Sequence, residues 1–537
     1  MAERIGGHVV AESLAALGAD VAFGVPGIHA LAIWEGLRTG PVRAYGTRTE
    51  LAAGFAADGY ARSSRRPAPL LLSTGPGALN SLTAVMEAAS SHVPVVAISS
   101  QIPADLIGRG RGYLHETADQ LASFAPLVKY AARAHSAESI PGVLAQAWRT
   151  ALTPPSGPVY VEIPVDLLKA PAAMAEVTAL EAMVERQCAP LDQVALAADA
   201  LAHAQRPVIW AGGGVIRSGA APELRELAER LDAPVATTYM GKGAIAADHP
   251  LAAGNGCDEA ALQELLADAD VLLCVGTELG AETTAQYLLD LRGQLIHIDA
   301  APERIGVTYS ALPLVGDAKL TLMALVSELP SHPRSDGAAA GVAAVHERIR
   351  AGLEDQDRRT ELELLTTIEQ ALPADAITVW DMTILGYWAA PHLRLKAGQQ
   401  FLYPLGSGTL GYAWPAALGA AVAHPGRPVL AVVGDGGLQY ALGELGTAAQ
   451  HRIPATLLVV DDGGYGILRQ YQRDQFGETT AVDLPDTDLA AVAAGFGVPV
   501  RRATPDDLPA QLAWALGEEG PAVVVLDAQL IPARPTK

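Results

Sequence analysis

Cysteine is scarce in this chain. Only Cys188, Cys257 and Cys274 occur among 537 residues, without the close Cys or His spacing of a zinc site. No disulfide framework is expected, and the chain reads as the product of a reduced compartment. Positive charge is in deficit, with 37 Lys and Arg against 59 Asp and Glu, a net charge of −22. That balance argues against nucleic acid or an anionic membrane as a partner. Long hydrophobic runs are missing too. No stretch approaches the roughly 20 apolar residues of a membrane span. The opening "MAERIGGHVVAESLAALGAD" reads as a charged amphipathic helix, not a signal peptide. The expectation is a cytoplasmic protein that binds neither membrane nor nucleic acid.

What the chain does contain is apolar residues, half of the total, which excludes disorder. A chain this long exceeds one core, so about three domains are expected. One grammar recurs: a short Val/Leu/Ile run, a glycine turn, then an Ala/Leu-rich helical stretch. "PAPLLLSTGPGALNSLTAVMEAASSHVPVVAISS", "RPVIWAGGGVIRSGAAPELRELAERLDAPVATT" and "RPVLAVVGDGGLQYALGELGTAAQHRIPATLLVV" all follow it. Apolar strands without alternation, separated by helices, predict parallel sheets covered by helices on both faces. The fold class is α/β, with three consecutive domains at 1–170, 190–332 and 355–530. Small-residue and Pro-rich stretches near 170–192 and 331–344 mark the boundaries.

The sharpest chemical signal runs from Val432 to Gly466. Val429–Val433 reads as a buried strand and Leu438–Gln450 as the following helix, with Gly434, Gly436 and Gly437 in the turn. Such a turn lets backbone approach a phosphate, and the helix N-terminus adds free amides. Asp435 inside it would repel phosphate, so a divalent cation between them resolves the conflict. The next strand, Thr456–Val460, delivers Asp462 to the same sheet edge, where Gly463 and Gly464 allow a carbonyl to point inward. Asp435, Asp462, the Gly464 carbonyl, two phosphate oxygens and a water make the octahedron that Mg²⁺ prefers. The alternative is a pair of solvated loop aspartates.

GDG with an acid 27 residues on resembles the thiamine-diphosphate (ThDP) motif. "GVPGIHAL", "TRTELAAGFAADGYAR", "STGPGALN", "TTYMGKGAIAADHPLAAGNG" and "GSGTLGYAWPAALGA" extend the likeness along the chain to acetolactate synthase-like enzymes and 2-oxo acid decarboxylases. The resemblance implies ThDP and Mg²⁺ as cofactors. Most relatives carry Asn at the position of Asp462; Asp remains a good ligand but adds charge. The resemblance makes Glu50 the acid that shares a proton with the aminopyrimidine, expected in apolar surroundings that raise its pKa; otherwise it is a helix-start glutamate. Leu410 becomes the wedge that bends the cofactor and Gly408 the acceptor carbonyl. Pro26, Asn80, Asp381, Met382, Thr383, Gly436, Gly437, Leu438, Tyr465, Gly466 and Ile467 become further cofactor contacts. His29 and His115 become proton shuttles near the reacting carbon, or else hydrogen-bonded structural histidines.

Family members of this branch add cofactor C2 to a 2-oxo acid, lose CO₂ and form an enamine; protonation then gives an aldehyde, and attack on a second carbonyl an acyloin. Ile384 and Leu385 replace a Gln-His pair of acetolactate synthases, Tyr387 stands at their Met, Tyr471 at their substrate-selecting Trp, and His115 at a glutamine. "GRGRGYLHETADQ" and "GDGGLQYALGELGTA" look more like decarboxylases of guanidino-2-oxo acids. A non-oxidative 2-oxo acid decarboxylase is therefore the favoured reading. Carboligation is the runner-up, and a silent ThDP-binding homologue a third. A cationic substrate would want a carboxylate; Glu116 and Asp119 are near in sequence. "AGGGVIRSG" lacks the third glycine of a dinucleotide fingerprint, since Arg217 stands there, and "VGTELGAETTAQY" lacks the Arg-Phe-Asp pattern of flavin-binding relatives, so no FAD is expected. The resemblance also implies sites shared between chains, in a homodimer paired into a homotetramer.

Overall fold

The computed structural model describes residues 4–256, 258–330, 337–356 and 358–534. Cys257 and residues 331–336 of the second expected boundary lie outside the described residues. Three six-stranded parallel sheets follow one another along the chain. The first holds β1 (Val21–Gly24), β2 (Arg43–Gly46), β3 (Ala68–Leu72), β4 (Val95–Gln101), β5 (Ala131–Arg133) and β6 (Val159–Pro164). The second holds β7 (Pro207–Ala211), β8 (Val235–Thr237), β9 (Ala252–Asn255), β10 (Val271–Val275), β11 (Gln294–Asp299) and β12 (Leu312–Val315). The third holds β13 (Ile377–Trp380), β14 (Gln400–Leu402), β15 (Val429–Gly434), β16 (Thr456–Asp461), β17 (Val500–Ala503) and β18 (Ala522–Asp527). β4 is buried at all seven positions, as a strand covered on both faces must be.

The first sheet runs β2-β1-β3-β4-β6-β5 and the third β14-β13-β15-β16-β18-β17. The two orders are the same permutation. In each, the chain reverses direction across the sheet beside its first strand, between β1 and β3 and between β13 and β15. A crevice opens there at the carboxyl ends of the strands, where ligands bind in such sheets. The middle sheet runs β12-β11-β10-β7-β8-β9 and reverses between β10 and β7.

Equivalent helices join the outer sheets. Helix Glu50–Ser64 leads into β3 and helix Ala413–Ala423 into β15. A Cβ on Gly59 would overlap the Ala416 carbonyl, and one on Gly419 the Ala56 carbonyl, so each helix offers a glycine to the other's backbone. A buried network ties the same junction. Arg62 bridges Asp58 at 2.6 Å and Glu87 at 2.7 Å. The Tyr412 hydroxyl donates to Asp58, and Ser407 donates to Glu87 through both its hydroxyl and its amide.

One expectation needs correction. The helix expected over Leu438–Gln450 is two pieces, Asp435–Leu438 and Glu444–His451, separated by a turn. Helix starts again beside the first sheet's chain, where the Arg48 amide donates to Glu444 at 3.0 Å. Between the two pieces the amides of Tyr440, Ala441 and Glu444 donate three residues back, to Gly437, Leu438 and Ala441, where a continuous α-helix would bond four back.

Candidate active site

Asp435 opens the short helix after β15 and is 4% exposed, while Asp462 follows the end of β16. The Oδ1 atoms of both are buried without a hydrogen-bond partner. Burial, then the neighbouring Asp462 and Asp461, push the Asp435 carboxyl up to about 7. Burial raises Asp462 as well, opposed by Arg469 beside it. Two buried carboxylates with unsatisfied oxygens are costly unless a cation joins them.

The backbone around them leaves no room for side chains. A Cβ at Gly466 would overlap Asp462 Oδ2, and one at Gly436 would lie 3.1 Å from the Gly464 carbonyl and 2.8 Å from the Tyr465 ring. A Cβ on Gly437 would lie 3.2 Å from Asp381 Oδ2, and one on Gly434 3.0 Å from Thr383 Oγ1. Asp381, 1% exposed, accepts from the amides of Met382 at 2.8 Å and Gly411 at 3.0 Å; burial pushes its carboxyl up to about 6. It braces the loop that holds Gly408, with φ +67°, and Leu410. Leu438 is buried and Ile467 packs on the core beneath. The sequence reading missed two braces of the Asp462 loop. Arg469 donates to the carbonyls of Asp462 at 3.2 Å and Gly463 at 3.0 Å and bridges Asp483, while Gln529 donates to the Asp462 carbonyl at 3.1 Å. Their only signal was a cation one turn into the helix beginning at Gly466.

These residues fit a divalent cation and a pyrophosphate: two orphaned acid oxygens, an adjacent carbonyl, and a glycine cradle at a helix start. Among the described residues no group of three His, Cys, Asp or Glu could hold a metal, so a cation here needs carbonyl and ligand oxygens to complete its shell.

A second cluster lies at the equivalent edge of the first sheet. Glu50 starts its helix behind the Thr49 cap and accepts from Asn80 Nδ2 at 2.9 Å. A Cβ on Gly77 would lie 2.9 Å from Glu50 Oε1. The single chain leaves Glu50 half-buried, less enclosed than the sequence reading expected. His29, just past Pro26 in the turn after β1, is 6% exposed, and its ring centroid lies 5.1 Å from that of His115. His115 sits in the left-handed region at φ +68°, a strained backbone for a non-glycine residue. Both Nδ1 atoms are buried without a partner. Burial, then His115 and Lys169, hold His29 below its usual pKa, keeping it neutral. Glu116 and Asp119 are otherwise engaged: Glu116 accepts from the amides of Gly112 and Tyr113, and Asp119 caps the Ala122 amide.

Among the described residues, no hydrogen bond or ion pair joins Glu50 to Asp435 or Asp462. Exposed apolar side chains fringe both clusters: Ile28, Leu79 and Leu114 near the first, Tyr440, Leu468 and Tyr471 near the second. Separately, a cavity of about 480 Å³ runs along Gly213, Gly214 and Gly276 of the middle sheet, lined by Arg65, Arg217 and Asp299.

Family models match the chain in three places. Residues 4–123 match the thiamine pyrophosphate enzyme N-terminal TPP binding domain, 194–325 the central domain, and 381–526 the C-terminal TPP binding domain. A probable 2-ketoarginine decarboxylase of Pseudomonas aeruginosa is 37% identical over 524 residues, covering 97% of this chain and 93% of that protein. A probable acetolactate synthase large subunit of Methanocaldococcus jannaschii is 32% identical, covering 99% of this chain and 93% of its own. The acetolactate synthase isozyme 2 large subunit of Escherichia coli is 30% identical, covering 96% and 94%.

Proposed function

Because this chain belongs to the thiamine pyrophosphate enzyme family, we propose that it decarboxylates a 2-oxo acid without oxidation and releases an aldehyde. The observation that carries the reading is the pair of orphaned aspartate oxygens facing a glycine cradle at the ends of β15 and β16. Bound thiamine diphosphate supplies the carbon nucleophile and electron sink that loss of CO₂ requires. Asp435, Asp462 and the Gly464 carbonyl would hold Mg²⁺. The turn at Gly436, Gly437 and Leu438, with Met382, Thr383, Tyr465, Gly466 and Ile467, would hold the pyrophosphate. Asp381 fixes the loop of Gly408 and Leu410, which would orient the cofactor's rings, and Pro26 and Asn80 would contact them from the first sheet. Glu50, which accepts from Asn80, would exchange a proton with the pyrimidine nitrogen of a bound cofactor. His29 and His115, whose Nδ1 atoms are buried without a partner, would hold and return the proton that completes the aldehyde.

The 2-ketoarginine relative supports a 2-oxo acid ending in a guanidinium as substrate. The acetolactate synthases among the relatives keep carboligation as the second reading. The apolar fringes and the half-buried Glu50 support a homodimer, and a tetramer built from it, in which Glu50 of one chain and Asp435 of another serve one cofactor. The domains then run 1–170, 190–332 and 355–530, in a cytoplasmic enzyme without FAD. Assaying CO₂ and aldehyde from a panel of 2-oxo acids with ThDP and Mg²⁺ tests the reading. Aldehyde supports it, an acetohydroxy acid favours carboligation, and cofactor binding without CO₂ from any acid overturns both.

A further inference from the structure

The stretch "GRGRGYLHETADQ" ends at Gln120, to which the proposed function gives no task. Gln120 opens the helix Gln120–Phe124 and is 1% exposed. Its Oε1 accepts from the Gly75 amide at 2.6 Å. A backbone amide only donates, so the oxygen must face Gly75 and Nε2 must point the other way. The nearest acceptors of Nε2 are the Tyr160 hydroxyl at 2.7 Å and the Ser100 carbonyl at 3.1 Å.

Those partners are themselves fixed. Ser100 lies in β4 and Tyr160 in β6, adjacent strands of the first sheet. The Tyr160 ring is fully buried and stacks on Phe124 of the same short helix, with centroids 3.8 Å apart. Its hydroxyl donates to Glu162 at 3.3 Å, and Arg133 at the end of β5 bridges Glu162 at 2.5 Å. Gln120 is thus anchored to rigid sheet on one side and reaches a loop on the other.

That loop needs outside support. Gly75 precedes the helix Pro76–Asn80, whose five residues are too few to hold a helix by propensity alone. No side-chain cap of its own closes its start. Gly75 adopts φ +61°, and a Cβ there would overlap the His115 carbonyl oxygen, so the loop presses directly on His115. Asn80 at the far end of the helix donates to Glu50 at 2.9 Å, and a Cβ on Gly77 would lie 2.9 Å from Glu50 Oε1. In a capping box the acceptor for the first amide comes from the helix itself; here Gln120 brings it from another segment.

We propose that Gln120 is a positioning residue: by holding the Gly75 amide it sets the Pro76–Asn80 helix, so that Asn80 meets Glu50 and the loop stays closed against His115. Its effect on turnover rests on the decarboxylase reading above, whereas the hydrogen bonds do not. Gln120 acts through the loop and needs no contact with cofactor or substrate. The groups proposed to hold Mg²⁺ and pyrophosphate belong to the third sheet, so losing Gln120 slows the step that uses Glu50 and His115 and leaves cofactor affinity near native.

The test compares the native protein with Gln120→Met, which keeps the length and removes the acceptor, and with Gln120→Glu, which keeps an acceptor for Gly75. Three quantities are read: hydrogen exchange at the Gly75 amide, ThDP affinity by calorimetry with Mg²⁺, and kcat and KM for CO₂ release from a 2-oxo acid. The native Gly75 amide exchanges as slowly as the amides of β4, and faster in Gln120→Met. In that variant kcat falls on the order of 10- to 100-fold, the cost of misplaced groups, with ThDP affinity and KM near native. Gln120→Glu keeps most of the native kcat. Fast exchange at Gly75 in the native protein overturns the proposal even if neither variant folds. Native kcat in a folded Gln120→Met, equal kcat losses in both variants, or a loss confined to ThDP affinity or KM overturns it as well. CO₂ from no 2-oxo acid removes the decarboxylase reading and the kinetic role with it, while a protected Gly75 amide still upholds the brace.

Discussion

Replacing Gly466 by Ala separates the metal site from the fold that carries it. An added Cβ would overlap Asp462 Oδ2 and lie 3.0 Å from Ile384 Cδ1. Both obstacles are the far ends of side chains, so the backbone need not move. Gly466 opens the helix Gly466–Phe476, where Ala is the better helix former by up to about 1 kcal/mol. The stability of the ligand-free protein should therefore change by less than about 1 kcal/mol. The Asp462 carboxylate, however, must swing away from Asp435. Misplacing a metal-binding group in this way costs about 10- to 100-fold in metal affinity. At a ligand concentration 100 times the native Kd, binding stabilises the native protein by about 2.7 kcal/mol; a variant binding 30-fold more weakly gains about 0.9 kcal/mol. Calorimetric titration of Mg²⁺ in the presence of ThDP, with thermal unfolding of the apo and loaded protein, measures both quantities. Native affinity in Gly466→Ala would refute Asp462 as a ligand.

Arg62→Met leaves Asp58 and Glu87 buried without their cation, and unfolding in urea should show a loss of about 3–5 kcal/mol; a loss below about 1 kcal/mol contradicts the network. Burial lowers the fully enclosed Lys242 ammonium to about 7, below its usual 10.5. The folded chain therefore binds fewer protons than the unfolded chain between those values, so this contribution is complete above about 10.5 and fades as pH falls towards 7, by at most about 1.4 kcal/mol per pH unit. Lys242→Met should flatten the stability–pH curve between about pH 7.5 and 9.5 relative to the native protein, and identical slopes dismiss the claim. Glu50→Gln should bind ThDP yet release almost no CO₂. An equimolar mixture of Glu50→Ala and Asp435→Ala chains, each inactive alone, should regain about a quarter of native activity if sites are shared, because about half of the dimers are hybrids with one intact site each; no recovery in chains proven to exchange rejects the shared site.

The sheets were legible because strands buried on both faces carry uninterrupted apolar runs, as Val95–Ile98 and Leu457–Val460 do. Asp435 and Asp462 stood out as candidates because two acids beside glycines close two apolar strand runs of the same sheet. Asp381 was placed near the pocket, but its work as an acceptor for loop amides needs the fold, because Gly411 lies 30 positions away. Arg469 was invisible for a like reason: its carbonyl partners at Asp462 and Gly463 reveal themselves only once the loop closes. The broken helix after Leu438 escaped because the tight turn bonds of Tyr440, Ala441 and Glu444 leave the apolar spacing unchanged. Helical periodicity reports a preference for one face, and it does not mark where tighter turns interrupt the helix.

On the proposed reading, the matching strand orders of the outer sheets give one chain two half-sites. Connections leaving β1, β3 and β4 hold Pro26 and His29, then Ser73 to Asn80, then His115. Their counterparts leaving β13, β15 and β16 hold Asp381 to Thr383, then Gly434 to Leu438, then Asp462 to Ile467. On the proposed reading one edge concentrates negative charge that a cation would relieve, and the other holds Glu50 with His29 and His115. Chemistry at a 2-oxo acid needs both sets within reach of one ligand. Helices Glu50–Ser64 and Ala413–Ala423 are already committed to each other inside the chain, and exposed apolar side chains fringe both candidate edges. An isologous pair of chains that sets a first-sheet edge on a third-sheet edge buries both fringes and necessarily makes the contact twice. Two complete sites per dimer are then the stoichiometric consequence, and a titration giving one ThDP per pair would show that the edges do not meet in this way.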